Sequence, residues 1–409
     1  MSAPLSFEEA MTRLLGHAEV LDGIETLPLM ETDGRVLAGD LMSSLNVPPW
    51  DNSQMDGYAV RAAELADSDG LWPVSQRIPA GHQGQPLQPG TVARIFTGAA
   101  LPAGADAVVM QEEAEASEAG VRFRRAPGAG EWVRRLGEDI RAGETVLTAG
   151  TRLSPAALGL AASIGAARLS VRRRPRVACF FTGDELVMPG EPLPPGGIYN
   201  SNRFVLSALI RRLGCELDDL GIVPDDLDAT RAMLRQAASR ADLIISAGGV
   251  SVGEEDHVRP AVEAEGEIDL WRLALKPGKP LAYGRVRRPD QAGQFAHFIG
   301  LPGNPVSAFV TFLVLVRPFI LKLQGAQTLA PQALTLESAF EWSRPDPKRR
   351  EFLRAVLLPG GNRLDLFRHQ GSGVLTSTVV ADGLIDNPPG QVIRPGDPVR
   401  FLPFDSLLG

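Results

Sequence analysis

From Arg176 to Leu323 the chain alternates apolar strands with helices, and this alternation limits the possible folds more than any other feature. Residues 177–181 read as a buried strand, 200–213 as a helix closed by Gly214, 216–223 as a strand and 226–240 as a helix. The strand at 243–245 opens a glycine loop. A helix from about Asp256, strands near 281–286 and 296–299, and a long helix from about Asn304 to Leu323 complete the series. Strands separated by helices pair mostly in parallel, and ligands then collect beyond their carboxyl ends. That rule sets residues 183–185, 247–256 and 300–305 along one rim.

The loop in LIISAGGVSVGEED (243–256) carries Gly248, Gly249, Ser251 and Gly253. A strand emptying into glycines lets a ligand approach the backbone, whose N–H groups can hold phosphate or another oxyanion. The acids Glu254, Glu255 and Asp256 have two readings: oxygen ligands for a divalent cation, or ordinary acids at the start of a helix.

The flanks are written differently. Ser6 to Glu9 is a capping box, and Phe7, Ala10, Met11, Leu14 and Leu15 follow at helical spacing, which suits a packing helix. Asp33-Gly34 reads as a turn within a strand-turn segment at 24–46. From Val47 to about Asp139 short apolar runs are cut by Pro, Gly and Asp turns, a β grammar. Ala142-Gly143 is a turn, followed by a short strand and a helix with Ser154 as cap and Pro155 in its first turn. Beyond Gly325 come short strands at 352–358, 363–368 and 391–402, with turns at Asp382-Gly383 and Gly396-Asp397, consistent with a small β-barrel or sandwich.

With 409 residues and a net charge of −8, the chain is large enough for several cores and poorly suited to nucleic acid as its main partner. Cys179 and Cys215 lie far apart in apolar surroundings and read as core residues, not as a disulfide or a thiolate metal site. The N-terminal stretch has acids where a signal peptide has basic residues, and the apolar run 308–316 is too short to cross a bilayer. The expectation is a soluble, cytoplasmic protein without a membrane partner.

Several clusters lie in or beside this α/β segment. Asp184 and Glu185 follow the first strand, Asp225 and Asp226 follow Val223-Pro224, and Lys276 and Lys279 bracket KPGKP. Carboxylates with a lysine pair suit a Mg²⁺-assisted phosphate or oxyanion site. Taken singly, each has a plainer explanation: Asp225 and Asp226 as helix caps, KPGKP as a surface turn, and GNPVS (303–307) as Asn304 capping a helix begun by Pro305. Their co-occurrence at the strand ends of one α/β module favours a site. The loop lacks the GxGxxG spacing, and neither a Walker motif nor a nucleophile elbow occurs.

The motifs PPWDNSQMDGYAV, RIFTGAALPAGADAVV, GEDIRAGE, FFTGDEL, IYNSN, SAGGVSVGEED, KPGKP and GLPGNPVS occur in that order across nearly the whole chain. By these the sequence resembles the MoeA family, the molybdopterin molybdenumtransferases, which include the C-terminal half of gephyrin. Trp50 and Gln54 are substitutions within the first motif that remove no required group. The resemblance implies a multidomain α/β plus β architecture. An elongated linking domain would comprise 1–46 plus 140–172, with a β-rich domain, 47–139, inserted in it. An α/β molybdopterin-binding domain with a mostly parallel sheet (173–325) and a C-terminal β-barrel (326–409) would follow.

The implied reaction inserts molybdenum from molybdate into adenylylated molybdopterin, hydrolysing the adenylate and releasing AMP, with Mg²⁺ assisting. Carried over motif by motif, Asp56, Thr97, Asp139, Glu185, Asp225 and Asp256 are the implied catalytic residues, with Asp225 and Asp256 as metal ligands. Lys276, Lys279, Ser307, Arg349 and Ser372 form the molybdate and phosphate cradle, although the neighbouring Arg350 leaves the register of the arginine open. Gly248, Gly249, Ser251 and Gly253 make the adenylate or pterin loop. The family also implies a homodimer whose cleft is completed by the inserted domain of the other subunit, and transient contact with other molybdenum-cofactor biosynthesis proteins. Two alternatives remain at this point: a molybdopterin adenylyltransferase built on the same α/β module, and a non-catalytic binding or scaffold paralogue.

Overall fold

The computed structural model describes residues 4–66, 70–249, 257–278 and 280–408. Its centre is a six-stranded sheet in the order Glu216–Val223, Arg176–Thr182, Leu243–Ala247, Phe295–Leu301, Pro280–Arg287, Gly266–Arg272. The first four strands are parallel and the last two antiparallel. Alternation along a strand sends successive side chains to opposite faces. Val177, Cys179 and Phe181 therefore join one core with the helix Ser201–Arg212 and the long helix beginning at Pro305. Ala178 and Phe180 join another, with the helices Leu227–Arg240 and Val258–Glu265.

The long helix runs Pro305–Leu323 with a π-helical turn at Phe312–Val316. It is apolar and long enough to cross a membrane, but 94% of its apolar window is buried inside the protein. The N-terminal helix Phe7–His17 has the expected capping box, with Ser6 and Glu9 bonded in both directions. It packs as a core element, burying Ala10 and Leu14 and setting Phe7 edge-on to Phe352.

Ile24–Pro28 pairs with Arg168–Arg172, and Leu41–Met42 with Thr145–Leu147. Val47 bridges Ile140, so the backbone leaves and re-enters at neighbouring points. Between them lies a four-stranded sheet (Val74–Ile78, Val92–Ile95, Gly57–Val60, Ala107–Met110) with cores of its own. Near the C-terminus Arg350–Leu357, Arg363–Leu366, Leu334–Ser338, Pro398–Pro403 and Gly383–Asn387 close into a five-stranded barrel, since the last of them pairs back onto the first.

Three details differ from the sequence reading. Gly266–Arg272 is an additional strand, antiparallel to Pro280–Arg287, directly after the helix that ends at Glu265. Gly383 is not a turn residue: it opens a barrel strand where a Cβ would fall 2.3 Å from the Leu402 carbonyl oxygen, so glycine is required by close approach. Residues 391–397 are loop, touching the barrel through the Trp342–Ile393 bridge, and the strand starts only at Pro398.

Candidate active site

The order of the parallel strands reverses between Arg176–Thr182 and Leu243–Ala247, because the first strand continues outward to Glu216–Val223 before the chain crosses back. A crevice opens at such a switch point. Here it is a cleft of about 810 Å³ whose opposite wall comes from the C-terminal barrel.

Its floor is backbone. Gly248 has φ +101° and Gly249 φ +62°; a Cβ would fall 2.6 Å from the Thr182 carbonyl oxygen at the first and 2.5 Å from Val258 Cγ2 at the second. Side chains are excluded there, so a ligand meets the main chain directly. The Gly248 N–H already donates to Leu301 O at 3.1 Å. The Gly249 amide has no acceptor among the described residues. Ser251, Gly253, Asp256 and Lys279 lie outside the described residues.

The acidic wall is formed by Glu185 and Asp225. Asp226 is the residue that caps a helix, accepting the Ala229 N–H at 2.8 Å, which leaves Asp225 free of that duty. Burial pushes the Asp225 carboxyl above its ordinary range, and Asp184 and Glu185 add like-charge repulsion, against an opposing hydrogen bond from the Asp184 backbone. A carboxylate held in this state is suited to an arriving cation. Mg²⁺ commonly takes one or two protein carboxylates together with substrate phosphates, so Asp225 fits that role. No cluster of three metal-ligating side chains occurs among the described residues.

The cationic wall spans two elements. Leu275–Lys276 pairs in parallel with the start of the barrel strand at Arg350 and Glu351. Lys276 Nζ meets Glu351 Oε1 at 2.9 Å, and the Glu351 side chain is fully buried. Trp342 Nε1 donates to the other carboxylate oxygen at 2.7 Å, and the Lys276 ammonium lies 5.7 Å from the Trp342 ring centroid. Arg349 lines the cleft and pairs with Asp346 at 2.5 Å. Arg350 points elsewhere, to Glu8 at 2.6 Å and Asp386 at 3.4 Å, with its guanidinium over Phe7. Of the two arginines, Arg349 lines the cleft and Arg350 does not.

Ser307, buried in the first turn of the long helix, and Ser372, on a barrel loop, complete this side. The Val306 N–H donates to Ser372 O at 3.0 Å and joins the two walls. Asn304 precedes Pro305 as expected, but its side chain makes no capping bond and instead lines the cleft.

Asp56, Thr97 and Asp139 do not line this cleft. Asp56 and Thr97, 41 residues apart in sequence, are nevertheless one unit: the Thr97 N–H and hydroxyl donate to Asp56 Oδ1 at 2.8 and 2.7 Å. The backbone bond holds the Asp56 carboxyl below its ordinary range, and the hydroxyl adds to it. Asp139 is exposed, its backbone N–H bonded to Val47 O at 3.0 Å where the chain re-enters.

The structure also brings in residues that the sequence reading does not single out. Thr182, Asn202 and Gln370 line the cleft. The first two sit inside FFTGDEL and IYNSN, so their motifs carried the signal. Glu351 had none, being one acid in a charged run.

Comparison with known proteins places the parts in order. Residues 5–165 match the model of the MoeA N-terminal region (domain I and II), 178–322 a probable molybdopterin binding domain, and 339–404 the MoeA C-terminal region (domain IV). A molybdopterin molybdenumtransferase of Haemophilus influenzae is 38% identical over 99% of this chain and 100% of its own length. One from Nostoc is 42% identical over 74% of this chain and 70% of its own. Among solved structures, a molybdopterin biosynthesis MoeA protein from Pyrococcus horikoshii superposes with a TM-score of 0.84 at 25% identity, covering 98% of this chain and all of that one.

Proposed function

The chain belongs to the MoeA family, and from that premise we propose that it is a molybdopterin molybdenumtransferase acting in molybdenum-cofactor biosynthesis. Adenylylated molybdopterin enters the cleft, molybdenum from molybdate joins the pterin dithiolene, the phosphoanhydride is hydrolysed and AMP leaves. The observation that carries this reading is the 810 Å³ cleft lined by Glu185 and Asp225 together with Lys276, Arg349, Ser307 and Ser372. Acids suit a metal and the anhydride; cations and hydroxyls suit an oxyanion.

In this reading Gly248 and Gly249, with Ser251 and Gly253, take the adenylate or pterin phosphate against the backbone. Lys276, Lys279, Ser307, Arg349 and Ser372 cradle molybdate. Asp225 and Asp256 hold Mg²⁺, which when bound neutralises phosphate charge. The chain's own contribution is positional: Glu351 and Trp342 fix Lys276, and Asp346 fixes Arg349.

Asp56, Thr97 and Asp139 act in the same reaction from a second subunit. The protein is then a homodimer in which the β segment 47–139 of one copy completes the cleft of the other; the bridge between Val47 and Ile140 supports that segment as an inserted domain. The linking domain is then 1–46 plus 140–172, the α/β domain 173–325 and the barrel 326–409. We place the protein in the cytoplasm.

An adenylyltransferase on the α/β module alone would not need Arg349 and Ser372, and the barrel's presence in the cleft wall favours the transferase. The test is AMP release from adenylylated molybdopterin by the purified protein with Mg²⁺. Release that depends on added molybdate supports the assignment, whereas ATP consumption to form the adenylate overturns it.

A further inference from the structure

Arg354 lies in the barrel strand Arg350–Leu357 with 1% of its surface exposed. Arginine is rarely buried this deeply without an anion. Yet its partners are neutral: Nε donates to Ser377 Oγ at 3.2 Å, Nη1 to Phe352 O at 3.3 Å and Nη2 to Gly371 O at 3.2 Å. Burial pushes its pKa down to about 10, with no carboxylate opposing that shift, so it remains charged at neutral pH. Its backbone holds Gln370 in both directions at 2.9 Å. One buried residue thus holds Gln370 and Gly371, two neighbours on the cleft rim.

The direction of this hold has a chemical consequence. The Gly371–Ser372 peptide is trans, so its carbonyl and its N–H point opposite ways. With the Gly371 oxygen bonded to the guanidinium, and to the Val374 N–H at 3.4 Å, the Ser372 N–H points away from Arg354, and Ser372 lines the cleft. The Ser372 carbonyl is fixed by the Val306 N–H at 3.0 Å. Its own N–H has no acceptor among the described residues. A cation bonded at the carbonyl end of a peptide polarises the N–H at the other end. Among the described residues, the two cations that line the cleft, Lys276 and Arg349, are each already paired with a carboxylate.

We propose that Arg354 is a positioning residue that presents the polarised Ser372 N–H as a main-chain donor to the oxyanion, and thereby places uncompensated positive charge behind the molybdate subsite. This rests on the reading that molybdate binds beside Ser372.

The test is calorimetric titration of molybdate into the full-length wild type, Arg354→Met and Arg354→Gln, with AMP titrated separately. Molybdate affinity is expected to fall about tenfold in Arg354→Met and about fivefold in Arg354→Gln, with AMP affinity within about twofold of wild type. If Arg354→Met fails to fold, Arg354→Gln decides alone, since its amide can still bond the buried acceptors. Unchanged molybdate affinity in a folded variant overturns the proposal, and so does an equal loss for molybdate and AMP, which would mean a collapsed cleft. A wild type that binds AMP but not molybdate overturns the underlying molybdate-site reading.

Discussion

The proposed reaction uses both Asp225 and Asp56, yet they sit in opposite electrostatic settings. Asp225, half-buried on the cleft wall, has Asp184 and Glu185 as neighbours and a carboxyl pushed upward by burial and repulsion. Asp56, on the inserted β segment, receives two hydrogen bonds from Thr97 and is held below its ordinary range. A raised folded pKa contributes stability at acid pH that is lost as pH rises through it; a depressed one contributes stability that is lost as pH falls through it. At neutral pH the Asp225 carboxylate therefore opposes folding until a cation joins it, while the Asp56 carboxylate favours it. The difference separates a group waiting for a ligand from a group already fixed as an anion.

The largest expected effect comes from removing the waiting charge. Asp225→Asn is expected to lower molybdenum-cofactor formation by about 10²-fold or more, while its melting temperature at neutral pH stays at or above that of wild type. A clear drop in melting temperature would make Asp225 a structural residue and end the contrast. Next, Asp56→Asn and Asp225→Asn chains, each inactive alone, are expected to recover about one quarter of wild-type activity when co-expressed, because in the proposed homodimer half the dimers are mixed and one of their two clefts is intact. No recovery in dimers verified as mixed would place both acids in the same subunit's cleft. Smallest is Thr97→Val, which keeps the backbone donor and removes the hydroxyl. Activity should fall about tenfold, and the Asp56 carboxyl, followed by NMR, should titrate closer to its ordinary range, with a small drop in melting temperature at neutral pH.

Where periodicity and a local cap agree, the sequence was sufficient. The strand at Glu216–Val223, the helix Leu227–Arg240 and the Ser154 cap with Pro155 all formed as read. The rim rule anticipated Glu185, Gly248, Gly249 and Asn304 in the cleft, the clusters read beside it added Asp225, Lys276 and Ser307, and the resemblance added Arg349 and Ser372. What stayed hidden depended on distant partners. Gly266–Arg272 is a strand because Pro280–Arg287 pairs with it, and Asp382-Gly383 resembles a turn until the Leu402 carbonyl fills the space beside Gly383. Arg349 is held by the nearby Asp346, but what draws Arg350 away is distant: Glu8 and Asp386. Likewise Glu351 is one more charge in KRRE until Lys276, 75 residues earlier, meets it.

The two cysteines, described above as core residues, bear on the sulfur chemistry proposed for this cleft. Cys179 and Cys215 are both buried, and burial pushes both thiols upward, Cys215 to about 12. A thiol in that state supplies almost no thiolate at neutral pH, and thiolate is the form that attacks disulfides and binds soft metals. A substrate bearing two sulfurs thus meets no cysteine thiolate of this chain able to form a mixed disulfide with it or to compete for molybdenum.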